Sequence, residues 1–411
     1  MVNDASPDST LSGQPAADHQ EHAIRADRAI ARACGLVDIL KAAAPRIEAA
    51  RELPPDVLSA LHDARMFRLL IPRSLDGEEL DLVSHAKVME TIASGDASAA
   101  WVMGQGGGCA MASAYMEPQA ARRLFGPADA VLAWGAGIQG RAVPVAGGYQ
   151  VTGKWQFASG SRHATLLGGH SFVFESDGTP RLKPDGTQVD RTMLFARDKA
   201  DVHDVWDVMG LRGTGSDTFE VADLFVPDDE TVNRDDAAEC REPGTLYKFS
   251  TSLAYGVGFA ALQIGIARTV LDDLRTLALT KTPRGAPSSL RDNPVFQGQL
   301  AQLEARLRAV RAYLHTTVAG THARAEAAPS IPLMERADIK LATTHTIQES
   351  ASITTEAYRA AGATGIFTSN PFERRLRDAL TASQQVQGRS GNFVTIGRCL
   401  LGLDPDTTMF L

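Results

Sequence analysis

The hydrophobic and polar positions along the chain follow three successive patterns. From about residue 22 to 125, apolar residues recur three and four positions apart between alanine-rich stretches, which predicts α-helices. From about 126 to 228, short β-branched or aromatic runs alternate with glycines, which predicts strands and tight turns. From about 247 to 401, helical spacing returns in longer segments. This order predicts an α+β protein with a β unit between two helical units.

These patterns divide the chain into four regions. We predict a disordered tail over residues 1–20, an N-terminal α-helical domain over 21–125, a middle β domain over 126–235 and a C-terminal helical bundle over 236–411. In the bundle, one apolar stripe recurs at alternating four- and three-residue steps, as in a helix packed along its length. Its members are Phe296, Leu300, Leu303, Leu307, Val310 and Leu314. The apolar run 253–267 contains glycines and ends at Arg268, which predicts a buried core helix.

Charge and cysteine content exclude several classes of function. The 411 residues carry a net charge of -8 and no long Lys/Arg run, so we expect neither nucleic acid nor an anionic membrane as a partner. The four cysteines are scattered, without metal-ligand or disulfide spacing, and we predict no metal site. The first residues lack the basic flank and apolar stretch of a signal peptide. A cytoplasmic location fits best.

Two glycine motifs resemble phosphate-binding loops. Gly135, Gly137 and Gly140 form a G-x-G-x-x-G string after a strand-like run, but Pro144 follows where the dinucleotide-binding motif needs a helix. The run 106–108 has neither a preceding strand nor a following Lys-Ser/Thr, so we interpret it as a site of close helix packing or of backbone approach to a ligand. Neither motif predicts a nucleotide site.

The segment 154–160, with the sequence KWQFASG, combines aromatic and small hydrogen-bonding residues. An isoalloxazine ring needs flat apolar walls and hydrogen-bonding groups along its polar edge, and this segment offers both. On composition alone, an ordinary strand followed by a turn is the better account. Ser159, Ser161 and His163 lie close together, but no G-x-S-x-G motif supports a serine nucleophile.

Four strings in family order resemble the acyl-CoA dehydrogenase superfamily, and within it the group D flavin-dependent monooxygenases. They are VTGKWQFASGSRHA (151–164), VMGLRGTGSDTFEVADLFVP (208–227), NPVFQ (293–297) and AYRAAGATGIFTSNPFERRLRD (357–378). The resemblance implies an N-terminal helical domain, a middle β-barrel domain, a C-terminal four-helix bundle, and a homotetramer with flavin between domains and subunits. The implied flavin contacts are Trp134, Phe157, Ala158 and Ser159 in the middle domain, and Arg284, Gln297, Gly362 and Gly365 in the bundle. Arg284 begins Arg-Gly-Ala-Pro-Ser where dehydrogenases have Arg-x-x-Phe-Gly, so the resemblance leaves FAD and FMN both open.

The C-terminal base of the family is replaced in this chain. Dehydrogenases carry a glutamate in a Tyr-Glu-Gly string, and the monooxygenases a histidine in strings such as Thr-Gln-His-Val, where this chain reads Ser-Gln-Gln-Val with Gln385 at the base position. A carboxamide cannot remove a proton at neutral pH. Gln385 can orient a substrate, and His163, four residues after Ser159, is an alternative base. Glu349 and Glu356 are better interpreted as surface helix charges.

The resemblance therefore implies a flavin-dependent monooxygenase that takes reduced FAD or FMN from a separate reductase. With O2 it would hydroxylate, or oxygenate at nitrogen or sulfur, a small aromatic, indole or amine substrate. Gln385, His163 and Ser159 are the predicted catalytic residues. Two alternatives stay open: an acyl-CoA dehydrogenase or flavin oxidase with a displaced base, and a catalytically inactive flavin-binding homologue.

Overall fold

The computed structural model describes residues 14–234 and 236–407. Most of the predicted tail, residues 1–13, lies outside the described residues, and the first helix begins at Gln14. The N-terminal helices are α1 (Gln14–Ala50), α2 (Pro55–Asp63), α3 (Leu82–Gly95), α4 (Ala97–Ala110) and α5 (Pro118–Phe125). The carboxylates of Asp81 and Asp96 accept backbone N–H bonds at the starts of α3 and α4, which satisfies groups that a helix start leaves unpaired.

A mixed sheet follows. Its strands are β1 (Leu132–Trp134), β2 (Gly140–Val145), β3 (Gly148–Ala158), β4 (Leu166–Val173), β5 (Asp190–Ala196), β6 (Asp201–His203), β7 (Asp217–Pro227) and β8 (Thr231–Val232). The hydrogen-bonded order is β6-β7-β3-β2-β4-β5-β8, with β1 paired in parallel to β4. Trp155, Phe195 and Phe219 fill the core of the sheet. Gly140 begins strand β2 rather than a helix, which confirms that the G-x-G-x-x-G string is not a dinucleotide-binding motif.

The C-terminal unit contains three long helices and two short ones. These are α6 (Thr251–Thr280), α7 (Pro294–Ala327), α8 (Leu333–Ala361), α9 (Phe372–Ser383) and α10 (Asn392–Leu400). The predicted apolar stripe lies on α7, where Leu300 is partly buried and the other five members are buried, as expected of a bundle core. Helix α6 is long and apolar enough to cross a membrane, but 89% of its most apolar window is buried inside the protein, as in a core helix.

Helices α4 and α6 approach closely at Gly108. A Cβ atom built on Gly108 would lie 2.3 Å from the Tyr255 ring, so only glycine fits at this contact. The Tyr255 hydroxyl in turn lies 3.1 Å from the Cys109 sulfur and 3.3 Å from Gln105 Nε2. The glycine run 106–108 therefore serves helix packing, which is one of the two roles predicted for it. The close packing also brings Tyr255 next to Gln105.

Candidate active site

A cavity of about 1920 Å³ lies between the sheet and the helices. Its lining comes from α4, from the loops after β1 and β3, from the segment before β7, from the connection between β8 and α6, and from the turn after α9. Sites for one small molecule are typically about 300–1,000 Å³. This cavity therefore has room for a large planar cofactor and a second molecule.

Aromatic side chains form flat walls of the cavity. Phe157 lies near the end of β3 and is 58% exposed, and its backbone is left-handed (φ +60°) at an irregularity of the strand. Trp206 meets it edge-on, with ring centroids 6.2 Å apart. The Trp206 segment is held by the buried Asp217 carboxylate, which accepts the Trp206 backbone N–H and pairs with Arg162 at 2.6 Å. The position of the wall is therefore fixed by charge-assisted bonds behind it.

A chain of hydroxyl groups ends at the cavity wall. Trp101 Nε1 donates to Ser159 Oγ at 2.9 Å, Ser159 Oγ lies 2.7 Å from Ser216 Oγ, and Ser216 Oγ lies 2.7 Å from Thr214 Oγ1. Thr214 Oγ1 donates to the Leu211 carbonyl at 2.9 Å. Since each hydroxyl has one proton, Ser216 donates to Thr214 and Ser159 donates to Ser216. Ser159 therefore offers a lone pair, not a proton, to a ligand.

Carboxamides occupy the turn after α9, at the predicted base position. Gln385 lines the cavity, and its Oε1 accepts the Gln387 backbone N–H at 2.8 Å. Gln387 is buried and donates to the Ser252 carbonyl at 3.0 Å. Because the Gln385 oxygen is engaged, its Nε2 group is the part that remains to donate to a ligand. This turn can hold a substrate oxygen but cannot remove a proton.

One histidine lies on the cavity wall, in β4. His170 Nδ1 is 2.7 Å from Thr192 Oγ1, and its ring meets Trp134 edge-on at 4.9 Å. Burial, together with the positive charge of Arg234, lowers the pKa of His170 well below 6.5. The imidazole is therefore neutral at pH 7 and a weak base.

The structure brings four predicted residues to the cavity: Trp134, Phe157, Ser159 and Gln385. It does not bring Ala158 or His163 there. Ala158 is fully buried in the core of the sheet. His163 follows a tight turn at Gly160, and its Nε2 accepts the Leu53 backbone N–H at 3.0 Å. Burial lowers the His163 pKa to about 4, so this ring is a neutral structural acceptor rather than a base beside a substrate.

The predicted bundle contacts lie away from this cavity, at one end of the bundle. Arg284 is exposed in the connection from α6 to α7, Gln297 is exposed in the first turn of α7, and Gly362 is exposed directly after α8. Lys281 Nζ donates to the Ala361 carbonyl, which brings these two segments together. Gly365, in the turn after Gly362, is buried. These residues do not line the cavity of their own chain.

Several cavity residues were missed by the sequence reasoning. They are Trp101, Gln105, His170, Trp206, Thr214, Ser216, Arg234 and Tyr255. Thr214 and Ser216 lie in the string 208–227 that carried the resemblance, so a signal for them existed. Trp101 and Tyr255 are indistinguishable in sequence from other core residues, and Arg234 stands in a polar stretch with no motif.

Flat aromatic walls, a hydroxyl acceptor and room for two molecules suit an enzyme that holds a flavin beside a small substrate. Family models for the acyl-CoA dehydrogenase N-terminal and C-terminal domains match residues 28–124 and 257–387, together more than half of the chain. The chain belongs to the acyl-CoA dehydrogenase family.

Individual relatives indicate which enzymes within this family the chain is most similar to in sequence and structure. An indole-3-acetate monooxygenase from Pseudomonas putida is 28% identical over 86% of this chain and 89% of that protein. The oxygenase component of an FADH2-dependent resorcinol hydroxylase from a Rhizobium species is 26% identical over 92% of this chain and 95% of that protein. The crystal structure of a 3-HSA hydroxylase from a Rhodococcus species superimposes with a TM-score of 0.84 at 25% identity, over 93% of this chain and 99% of that one.

These relatives confirm the predicted fold, and they confirm a flavin-dependent monooxygenase over an acyl-CoA dehydrogenase. Ion pairs of Glu349 and Glu356 with Arg306 account for the two glutamates that a displaced base would have required.

Proposed function

We propose that this chain is the oxygenase component of a two-component monooxygenase, which receives reduced FAD or FMN from a separate reductase and oxygenates a small aromatic or indole substrate with O2. The observation that carries the proposal is the cavity itself. It combines flat aromatic walls at Trp134 and Phe157 with a turn that contains no carboxylate or histidine, the turn around Gln385. Bound reduced flavin would supply the activation of O2 for transfer of one oxygen atom.

The chain's own residues would bind and orient the flavin and the substrate. Trp134 and Phe157 would lie against the ring faces of the flavin and substrate. Ser159, whose proton is directed to Ser216, would accept a hydrogen bond from a ring N–H, a group that reduced flavin presents and oxidised flavin lacks at its central ring. The hydroxyl chain therefore favours the reduced cofactor.

Substrates that need no deprotonation suit this site best. Gln385 offers an amide donor, and His170 is a neutral imidazole whose pKa lies well below 6.5. A base this weak removes a phenol proton poorly. An indole ring or an amine is electron-rich without losing a proton, so the absence of a strong base among the described cavity residues supports that substrate class.

The exposed Arg284, Gln297 and Gly362 would reach a flavin in this cavity only from another copy of the chain. Their placement supports an assembly of at least two copies, in which the adjacent subunit holds the phosphate or adenosine part of the cofactor; the homotetramer stays a prediction. The cytoplasmic location stays a prediction.

Rapid mixing tests the proposal. The protein is loaded anaerobically with reduced FAD or FMN and mixed with O2, while absorbance is followed through flavin reoxidation, with free reduced flavin as the control. We expect a transient species that is neither reduced nor oxidised flavin, and oxygenated product when an indole is present. Direct reoxidation at the rate of free flavin would overturn the proposal. Failure to retain either flavin would also overturn it, in favour of an inactive homologue.

A further inference from the structure

Arg234 lies on the cavity wall, and the described residues supply no ion-pair partner for its guanidinium group. It follows β8, and its guanidinium carbon lies 4.2 Å from the centre of the Trp134 ring. A cation over the ring face is attracted to it, and this contact uses none of the guanidinium N–H groups as hydrogen-bond donors to an oxygen. Its Nη1 atom is buried and has no hydrogen-bond partner within residues 14–234 and 236–407.

Among the described residues, the acidic residues that follow Arg234 or line the cavity are already engaged. The exposed Asp236 accepts the Ala238 backbone N–H at 2.9 Å. Glu239 pairs with Arg191 at 2.7 Å and accepts the Asn233 backbone N–H at 2.8 Å. Asp190 pairs with Lys183 at 3.4 Å. Glu242 accepts a hydrogen bond from Ser74. No ion pair involves Arg234 in the part of the chain that the structure describes.

The charge of Arg234 acts on groups inside the cavity. It lowers the pKa of His170, after burial, and opposes the rise that burial causes in the pKa of Tyr255. Both residues line the cavity. The positive potential of Arg234 therefore extends into the space that a substrate would occupy, and not only toward the protein behind it.

Arg234 is half-buried, and a guanidinium nitrogen that is buried without a partner is costly unless a ligand supplies the acceptor. A guanidinium fork matches the two oxygens of a carboxylate. We propose, on the basis of the proposed function, that Arg234 binds the carboxylate of the substrate. The substrates of this enzyme are then aromatic or indolic carboxylic acids, with the acid group beside Trp134 and the ring in the remaining cavity.

Paired ligands that differ only in charge test this assignment. Binding of indole-3-acetate and indole-3-acetamide, and of phenylacetate and phenylacetamide, is measured by titration calorimetry with the full-length protein, alone and with oxidised FAD. We expect the wild type to prefer each acid over its amide about tenfold to 100-fold, the gain typical of a charged hydrogen bond. In Arg234→Met the acid-to-amide ratio falls to about one, while amide affinity changes by less than about threefold.

Two further variants keep the test decisive. Arg234→Lys retains the charge without the fork and should give an intermediate ratio. Arg336→Met tests the rival arginine, which also lines the cavity with an unpaired buried nitrogen but has no Trp134 ring against it; if Arg234 binds the carboxylate, this variant leaves the ratio unchanged. A wild-type ratio near one, no measurable binding of either ligand, or a ratio that collapses in Arg336→Met instead would overturn the assignment. If Arg234→Met lowers flavin affinity but not the acid preference, the arginine serves the cofactor and the assignment is wrong.

The rapid-mixing experiment separates this inference from the function on which it rests. If a transient species forms during reoxidation but the protein shows no preference for acids over amides, only the role of Arg234 is wrong. If no transient species forms in the wild type, the monooxygenase proposal is wrong, whatever the acid-to-amide binding ratios are.

Discussion

At the scale of single residues, Ser159 connects the core of the protein to the cavity. Its oxygen accepts from Trp101 on α4, and its proton goes to Ser216 next to β7. A side chain that is held from two sides in this way presents one lone pair in one direction. The direction of the hydroxyl chain, more than the presence of a serine, determines what Ser159 can do for a ligand.

Ser159→Ala should weaken both stability and flavin binding. The substitution leaves Trp101 Nε1 without its acceptor, at a cost of about 1–3 kcal/mol in the free energy of unfolding. It also removes the proposed acceptor for a reduced flavin. Urea denaturation and anaerobic flavin titration measure the two effects.

Ser161→Ala is the matched control for Ser159→Ala. Ser161 is fully buried and donates to the Gly215 carbonyl at 3.2 Å, but it does not line the cavity. Its loss should lower stability by about 0.5–1.5 kcal/mol and leave flavin affinity unchanged. Equal loss of reduced-flavin affinity in the two variants would contradict the proposed role of Ser159.

Four of the predicted site residues lie at one cavity, and their roles toward a ligand stay predictions. Trp134, Phe157, Ser159 and Gln385 all line the cavity. His163 lies elsewhere, because proximity in sequence to Ser159 says nothing about the turn at Gly160 that directs the ring toward Leu53. The sequence reasoning did not include Arg234, since a half-buried guanidinium with an unpaired nitrogen is recognised only when its neighbours are known.

At the scale of elements, Asp378 joins helix α9 to the segment before β7. Its carboxylate accepts the Leu211 backbone N–H at 2.7 Å, and Leu211 also receives the end of the hydroxyl chain. Burial, and then the nearby Asp96 carboxylate, raise the Asp378 pKa to about 7. The folded protein therefore holds Asp378 protonated below that pH.

Stability should consequently fall as pH rises from about 4 to about 7 and level off at higher pH. The folded-state pKa lies above the unfolded value of 3.8, so the unfolded state binds fewer protons and deprotonation favours unfolding. The slope can reach about 1.4 kcal/mol per pH unit for one proton. Urea midpoints measured from pH 5 to 9 should show this slope below about pH 7 and little of it above, and Asp378→Asn should lose it.

The exposed Asp56 provides the control for this pH dependence. It forms a surface pair with Arg46, and its pKa is lowered by that hydrogen bond, so it is ionised throughout the range. Asp56→Asn should keep the wild-type slope. A slope that survives in Asp378→Asn would assign the titration to another group.

The contact between α4 and α6 gives a second prediction at this scale. In Gly108→Ala the new methyl group overlaps the Tyr255 ring, and we expect a loss of about 1–3 kcal/mol in the free energy of unfolding. Gly35→Ala on α1 is the matched control, because nothing lies within 4 Å of its Cβ position. That change should stabilise the protein by about 0.5–1 kcal/mol through helix propensity. Thermal unfolding should show a lower midpoint for Gly108→Ala and a higher midpoint for Gly35→Ala than for the wild type.

Elements were easier to predict than their assembly. The stripe from Phe296 to Leu314 is a local periodicity, and its members pack as expected. The order of the strands was not accessible in the same way, since β3 pairs with β2 nearby and with β7 about seventy residues later. Long-range pairing depends on the whole chain, and so does the cavity that the strands help to form.

At the scale of the whole molecule, the cavity and the exposed bundle end are separate surfaces of one chain. The cavity has room for the flavin ring system, whereas Arg284 and Gln297 stand outside it. A cofactor that touches both would have to bridge two copies. FAD, which carries a diphosphate and an adenosine beyond the ring, has the length for this, and FMN has less.

Arg284→Ala should therefore weaken FAD binding and spare FMN. Loss of a charged hydrogen bond to phosphate should raise the Kd for reduced FAD about tenfold or more.

Arg291→Ala is the control, an exposed arginine in the same connection whose side chain pairs only weakly with Asp292, at 3.6 Å. Anaerobic flavin titration measures the Kd values, and sedimentation velocity with each flavin measures assembly. Because the second copy would supply Arg284, FAD should favour the larger assembly in the wild type more than in Arg284→Ala. Equal weakening of FAD and FMN, or no change in either, would show that the bundle end does not hold the distal half of the cofactor.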